Sequence, residues 1–278
     1  MRIPPRQAQT LAKIVLGAAT FFTLGILLFI IGFILSRGIP VLSLRFLFSN
    51  PEDMGRSGGI FPTIVGTILL PAVALVFAVP LGIGTAVYLT EYTRESRATA
   101  VIRFGADCLA GIPSIIFGLF GFIFFVTILK MGWCMLSGGL TLAMMILPTI
   151  IRTTEEAIKA VPYSYREVSF SLGATRWRTI WRVVLPNALP GIVTGIILGI
   201  GRSIGETAAV IFTAGSSLKM PSSLFDSVRT MSVHFYILAR EGISGENAYG
   251  TAAVLIISVL LVNGISYWLM HRFMQRFS

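Results

Sequence analysis

An arginine and a glutamate lie inside one of the most apolar stretches of this 278-residue chain. Arg202 and Glu206 interrupt the run 188–214, which is long enough to span a bilayer as a helix. Charged side chains within a membrane span are costly, so they usually face a bundle interior or a water-filled path. Their i, i+4 spacing predicts neighbours on one helix face. They are therefore either a gate or anion contact on a transport path, or a self-neutralising pair that only locks helices together.

The same predicted helix face carries a stripe of small residues. At 100° per residue, three glycines spaced by four fall beside the two charges: Gly191, Gly195 and Gly199. Small residues at this spacing let a neighbouring helix approach closely. We therefore expect the charged face of this helix to be the face that packs against a partner helix.

A polar loop precedes this span and has its own pattern, Glu167-Val168-Ser169-x3-Gly173-x9-Val183-x-Leu185-Pro186. Ser164 and Glu167 have the spacing of a capping box, which predicts a helix from about Tyr165 to Gly173. Apolar residues then recur at i, i+3, i+4 and i+7, and arginines surround them. This second pattern predicts a basic amphipathic helix in the membrane interface, made by Trp177, Ile180, Trp181 and Val184. The alternative is a loop whose arginines only fix the topology.

Composition places the chain in the membrane. It is 55% hydrophobic and 12% charged, with a mean hydropathy of +0.83, which is typical of an integral membrane protein. The net charge of +10 comes from basic residues in short loops between apolar runs, which favours a topological role over nucleic-acid binding. Cys108 and Cys134 lie in or beside apolar segments, so neither a disulfide scaffold nor a metal site is expected.

The hydropathy pattern predicts an all-α protein with six transmembrane helices and both termini in the cytoplasm. The predicted inner loops hold about twice as many Lys and Arg as the outer loops. We expect the third span to break at Gly111-Ile112-Pro113, the fourth to end where Arg152-Thr153-Thr154-Glu155 leaves the membrane, and an outer loop to include a short helix within 223–240. The predicted spans are 14–35, 61–89, 106–129, 140–151, 188–214 and 249–270.

The chain shows no catalytic motif of its own. A phosphate-binding P-loop needs a lysine directly after a glycine, and none of the four lysines satisfies this: Lys13, Lys130, Lys159 and Lys219. Neither a nucleophile elbow nor a zinc-protease motif is present. If the protein moves a solute uphill, the energy enters through another protein, and the 167–186 loop is the expected docking surface.

The loop pattern resembles the EAA loop of ABC importer permeases, Glu-Ala-Ala-x3-Gly-x9-Ile-x-Leu-Pro. The departures, Val168, Ser169 and Val183, are all small or apolar. The stretch 201–208, Gly-Arg-Ser-Ile-Gly-Glu-Thr-Ala, resembles the Arg-x-x-Gly-Glu-Thr signature of phosphate importer permeases. Segments 53–62, 111–118 and 152–155 look like the PstA type of that family. The resemblance covers about residues 40–276.

The resemblance implies an ABC importer type I permease of a bacterial inner membrane. Residues 1–61 would form the tail, first helix and outer loop, 62–270 the transmembrane domain with its EAA coupling loop at 152–187, and 271–278 a cytoplasmic tail. The implied partners are a second, PstC-like permease, two copies of a cytoplasmic PstB-like ATPase and a periplasmic PstS-like phosphate-binding protein. No cofactor or metal is expected on this chain, because ATP and magnesium would bind the ATPase.

The resemblance also assigns roles to individual residues. Arg202 and Glu206 would lie on the translocation path, and Arg152 at its cytoplasmic mouth. Our own hypothesis is that Glu206 keeps Arg202 from holding phosphate too tightly. Coupling to the ATPase would involve Glu167, Gly173, Ser169, Leu185 and Pro186. The alternatives are a permease for sulfate, molybdate or another small solute, a channel or secondary carrier, and a purely structural membrane subunit.

Overall fold

A computed structural model describes residues 5–93 and 96–277 of the chain. Ser278 of the predicted tail lies outside the described residues. The fold is helical apart from one antiparallel hairpin, β1 (Pro51–Glu52) with β2 (Ser57–Gly58). The helices are α1 (Pro5–Gly38), α2 (Leu44–Phe48), α3 (Phe61–Val87), α4 (Arg97–Ala110), α5 (Ser114–Gly121), α6 (Met135–Ala160), α7 (Tyr163–Ser171), α8 (Arg176–Thr179), α9 (Leu185–Ile204), α10 (Ala208–Thr213), α11 (Met231–Arg240) and α12 (Gly245–Phe277).

Three of these helices continue through wider π-type turns. Such turns follow α3 at Tyr88–Tyr92, α5 at Phe122–Ile128 and α8 at Ile180–Val184. Within the described chain, five continuous helical segments are long and apolar enough to span a membrane: Gln9–Val41, Phe61–Tyr92, Met135–Ala160, Arg176–Ile204 and Gly245–Trp268. A bent pair, Thr99–Ala110 with Ser114–Ile128, supplies the sixth span. The predicted count of six is therefore confirmed.

The third span differs from its prediction in direction. The chain does break at the predicted Gly111-Ile112-Pro113, but the break turns it by 101°. Residues 106–110 therefore belong to α4, and the second half of this broken span is Ser114–Ile128. Proline disfavours helical geometry in the residue before it and offers no amide hydrogen, so the two helices cannot merge.

Two further predicted boundaries are wrong. The fourth span does not end near residue 151, because α6 continues to Ala160 and carries 152–155 with it. Thr154 and Ile158 keep one face of this extension fully buried. The fifth span is not one helix over 188–214, because α9 ends at Ile204 and α10 begins only at Ala208. The outer-loop helix is confirmed, as α11.

The core lies where α3, α6 and α9 meet. Leu70 of α3 and Leu142, Ile146 and Ile150 of α6 are fully buried there. Gly82 of α3 lies against the Ile150 side chain, at a distance that a Cβ would not tolerate. Close approach of backbones at small residues is the usual way in which helices associate in a bilayer. α1, by contrast, is a peripheral helix that meets α12 at Gly38, beside the Tyr249 backbone.

The hairpin is fastened to the end of the bundle beside α11. Its turn places Asp53, Met54 and Gly55 at positive φ, and the Asn247 side chain donates to the Gly55 carbonyl at 2.9 Å. His234 of α11 is buried against Gly55. Burial and the nearby Arg229 charge lower the pKa of His234 to about 4, so its imidazole is neutral near pH 7.

Candidate functional site

The fifth span is interrupted next to its two charges. α9 ends at Ile204, and residues 205–207 separate it from α10. The Glu206 carboxylate accepts a hydrogen bond from the backbone N–H of Ala209 at 3.2 Å, so it caps the first turn of α10. The Ser232 hydroxyl donates to the Glu206 carbonyl at 2.7 Å and ties the break to α11. The break is thus held by hydrogen bonds on both sides.

The prediction that Arg202 and Glu206 are neighbours on one helix face is wrong. Glu206 lies beyond the end of α9, so the helical i, i+4 relation does not apply to it. Arg202 is exposed, and within the described residues no ion pair joins its guanidinium to a carboxylate. The spacing of the two residues does not reveal that the helix ends between them, because Gly205 alone is not a distinctive end signal.

The glycine stripe packs closely against α6. Gly191 lies against Ala157 and Gly195 against Thr153, both too close for a Cβ. Gly199 faces Ile146 at an ordinary van der Waals distance. Arg202 follows Gly195 at i+7 in the same helix, which places it within about 20° of Gly195 around the helix axis. The close approach to α6 is made by the glycines, and Arg202 is exposed one turn beyond Gly199.

Arg152 belongs to an ionic cluster between α4 and α6. Its guanidinium bonds to the Asp107 carboxylate of α4, and Glu156 lies 4.0 Å away. Beside it, Glu155 bonds at 2.7 Å to Arg103 of α4. A cavity of about 260 Å³ is lined by this cluster. The charges that were expected to leave the membrane here instead pair across two helices, which explains why α6 continues.

The coupling-loop residues form a helix–glycine–helix unit. α7 begins at Tyr163 after Pro162, and its N-cap has no side-chain hydrogen bond, so the predicted Ser164–Glu167 capping box is wrong. The helix ends at Ser171, and Gly173 has a φ of +78°, a left-handed conformation in which glycine carries no Cβ penalty. Glu167 is exposed on the surface of α7.

A buried hydroxyl pair closes this unit. The Ser169 and Thr179 side chains share a hydrogen bond of 2.8 Å across the turn. Leu185 is buried, and Pro186 stands at the start of α9 directly after the π-type turn. The unit therefore runs directly into the fifth span.

The helix after Gly173 has two apolar ridges, and only one is buried. Ile180 and Val184 pack into a core cluster with Ile158 and Ala188. Trp177 and Trp181 remain exposed and pack edge-to-face, with ring centroids 5.4 Å apart. The predicted single apolar face is thus too broad. Residues at i and i+3 point in different directions around the helix, and here one pair is buried while the other is exposed.

Sequence reasoning missed the buried, hydrogen-bonded arginine of this region, Arg166. Arg166 is 8% exposed and bonds to the Glu91 carboxylate at the end of the second span. The two residues are 75 positions apart, and neither stands in a pattern that points to the other. No motif in the sequence could have identified this pair.

The described residues hold no cluster of His, Cys, Asp or Glu that could bind a metal ion. Cys108 is exposed and Cys134 is buried, and both are free thiols. The described part of the site therefore consists of a helix break, the exposed guanidinium of Arg202 and the helix–glycine–helix unit.

Comparison with known proteins identifies relatives along nearly the whole chain. It is 33% identical over 275 residues to a probable ABC transporter permease protein, YqgI, of Bacillus subtilis (strain 168), covering 93% of this chain and 94% of the relative. It is 36% identical to the phosphate transport system permease protein PstA of Yersinia pestis, covering 93% and 88%. It is 39% identical to PstA 1 of Mycobacterium tuberculosis (strain ATCC 25618 / H37Rv), covering 77% and 69%.

Solved structures show the same fold. A bacterial ABC transporter that imports alginate matches with a TM-score of 0.68 at 16% identity, covering 96% of both chains. The methionine ABC transporter MetNI, in an inward-facing conformation, matches with a TM-score of 0.60 at 19% identity, covering 77% of this chain and 94% of that chain. The chain thus has the fold of an ABC importer type I permease. Residues 78–278 match the family model of the binding-protein-dependent transport system inner membrane component, and the chain belongs to that family.

Proposed function

We propose that this chain is a permease subunit of an ATP-driven phosphate importer and forms half of the translocation path. PstA proteins of several bacteria are 30–39% identical to it over most of its length. The observation that carries the proposal is the exposed guanidinium of Arg202 beside the break in the fifth span. A guanidinium presents a fork of donors that suits a phosphate oxyanion.

The position of Arg202 argues for a second permease. A charge on a membrane span that faced lipid would be costly, so the exposed Arg202 has to meet water or protein. The face it occupies would be covered by a PstC-like permease, with the path for phosphate between the two chains. One oxygen of the Glu206 carboxylate caps α10, and within the described residues no ion pair joins Glu206 to Arg202, so Arg202 would remain available to an anion. Glu206 would then act by holding the break open rather than by restraining Arg202.

The coupling loop supports an external source of energy. α7 and the residue that follows it present large apolar side chains to solvent, including Val168 at 60% and Leu172 at 83% exposure. Exposed apolar patches of this kind mark protein contacts. We assign this surface, with Glu167 and Gly173, to two copies of a cytoplasmic PstB-like ATPase, one of which would dock here. ATP and magnesium would bind the ATPase, and this chain would bind neither.

The remaining assignments follow from this arrangement. The Arg152–Asp107 pair would border the cytoplasmic mouth of the path and open when phosphate leaves. A periplasmic, PstS-like binding protein would deliver phosphate on the opposite side. The chain would lie in the bacterial inner membrane with both termini in the cytoplasm.

Uptake of radiolabelled phosphate by the complete complex in proteoliposomes tests the proposal. Arg202→Gln should lower uptake by about tenfold or more, equivalent to at least ~1.4 kcal/mol of lost anion stabilisation. Glu206→Gln should have a smaller effect, because the amide oxygen can still accept from Ala209. Arg97→Gln, at an exposed arginine that begins α4 and lies outside the 167–186 loop, is the matched control. Near-normal uptake in Arg202→Gln, or ATP-driven uptake of sulfate or molybdate in place of phosphate, would refute the proposal.

A further inference from the structure

A buried guanidinium joins the coupling loop to the helical core. Arg166, in α7, donates from Nε and Nη2 to Oε1 of Glu91, at 3.1 and 2.7 Å. Its Nη1 donates to the Val161 carbonyl at 2.9 Å, and Nη2 also reaches the Ile158 carbonyl at 3.0 Å. All three nitrogens are therefore engaged, and the side chains of Arg166 and Glu91 are only about a tenth exposed.

These acceptors belong to two different spans. Glu91 lies in the π-type turn that ends the second span. Ile158 and Val161 lie at the end of α6, where the last carbonyls of a helix have no partner within the helix. Arg166 thus caps α6 with a positive charge, which also suits the negative end of the helix dipole. One side chain links α7 to both of the helices that form the core with α9.

No short stretch of chain connects α7 to the second span. α6 and α7 are joined by only Val161 and Pro162, so they would move together in any case. The second span, in contrast, is separated from α7 by the whole of α4, α5 and α6. A cavity of about 450 Å³ lies between α7 and these span ends, lined by Glu91, Lys159 and Arg176 among others. Ala86 of the second span also shares a buried apolar cluster with Ile180 and Val184, which follow Gly173. The Arg166–Glu91 pair adds a direct ionic contact between α7 itself and the end of that span, at the edge of the cavity.

We propose that Arg166 is a positioning residue that transmits displacement of α7 to the second span through Glu91. The inference rests on the proposed docking of an ATPase at α7. With the pair intact, α7 and the ends of α3 and α6 move as one body when the ATPase closes. Without it, the loop would absorb the motion, and ATP would be hydrolysed with less movement of the spans.

Lysine and glutamine substitutions test this role with little change in shape. Arg166→Lys keeps the charge but loses the fork, so it cannot hold Glu91 and both carbonyls together. Glu91→Gln keeps an acceptor but removes the charge. In the reconstituted complex, we expect each variant to lower the phosphate transported per ATP hydrolysed by about threefold to tenfold. Arg97→Lys, at an exposed position at the start of α4 and outside the 167–186 loop, should leave the ratio unchanged.

A second measurement does not depend on the identity of the solute. Tyr88 is exposed at the end of the second span, and Cys108 is the one exposed cysteine of the two in the chain. In a Cys108→Ser background, Tyr88→Cys should be alkylated at different rates with and without trapped nucleotide on the ATPase. We expect Arg166→Lys to abolish this difference while the ATPase still co-purifies.

The outcomes separate the two proposals. If the wild-type complex hydrolyses ATP but moves no phosphate, the proposed substrate is wrong, and the alkylation difference still tests the joint. If Arg166→Lys does not assemble with the ATPase, the isosteric Glu91→Gln decides. An unchanged transport ratio together with an unchanged alkylation difference, in a variant that retains its ATPase, would overturn the inference.

Discussion

Arg166 and Arg202 carry the same side chain in the same permease, yet their surroundings are opposite. Arg166 is buried in the coupling loop and donates to a carboxylate and two carbonyls. Arg202 is exposed beside a helix break, and no ion pair joins it to the described part of the chain. A buried charge is tolerable only when its hydrogen bonds are satisfied. An exposed charge on a span obtains its partner from outside the chain.

The difference separates two tasks that a permease has to combine. A joint that transmits force has to keep one geometry, and a guanidinium held by three acceptors does so. A contact on a path has to release what it binds, which requires a side chain free to exchange partners. Under the two proposals above, the same residue type would serve rigidity in one place and exchange in another, and its neighbours would determine which.

Removing the positive charge should affect stability at only one of the two sites. Arg166→Met leaves Glu91 buried without its partner, and breaking a buried pair in this way costs ~3–5 kcal/mol. Arg202→Met removes an exposed side chain and should change stability by less than ~0.5 kcal/mol. The apparent melting temperature of each purified variant in one detergent measures this. Equal shifts at the two positions would contradict the comparison.

The sequence predicts those features that depend on composition and local pattern. Six apolar runs give six spans because about twenty apolar residues are needed to cross a bilayer. Gly173 is found as a helix end because a left-handed cap favours glycine. The family resemblance, carried by Glu167, Gly173 and Leu185-Pro186, is likewise local. These features need no knowledge of what lies across the bundle.

The features that sequence missed depend on residues distant in the chain. α6 extends past Arg152 because Asp107 and Arg103 of α4 pair with its charges. Arg202 and Glu206 were predicted to be neighbours because the residue types in 202–206 do not by themselves indicate that the helix ends at Ile204. The partner of Arg166 could not be found at all. Long-range pairing of charges is decided by tertiary geometry, and helical periodicity carries no information about it.

A smaller effect is expected where α9 meets α6 beneath Arg202. Gly195→Ala would place a methyl group against Thr153, and overpacking of this kind costs ~1–3 kcal/mol. Gly84→Ala in α3 is the matched control, since no atom lies near its added Cβ and alanine favours a helix. The apparent melting temperatures of the two variants give the answer. If Gly195→Ala is as stable as Gly84→Ala, the glycine stripe does not set the contact between α9 and α6.

The smallest effect concerns the neutral hydrogen bond that accompanies the Arg166 joint. Ser169→Ala or Thr179→Val removes one partner of a buried pair and leaves the other without a hydrogen bond, at a cost of ~1 kcal/mol. The double variant leaves no orphan, so its cost should be less than the sum of the two single variants. Ser171→Ala, whose hydroxyl is exposed and bonds only within α7, is the control. The apparent melting temperatures of the two single variants, the double variant and the control measure these costs as a double-mutant cycle.

The same variants also test whether the Arg166 ion pair, rather than the pair of hydroxyl groups, keeps the coupling loop rigid. If the loop is held chiefly by Arg166, the double variant should keep its transport ratio while Arg166→Lys loses it. Additive costs of the two single substitutions would show that the two hydroxyls do not interact. A lowered transport ratio in the double variant would show that the hydroxyl pair transmits motion too. Arg166 and the hydroxyl pair would then differ only in how much each contributes to the transmission.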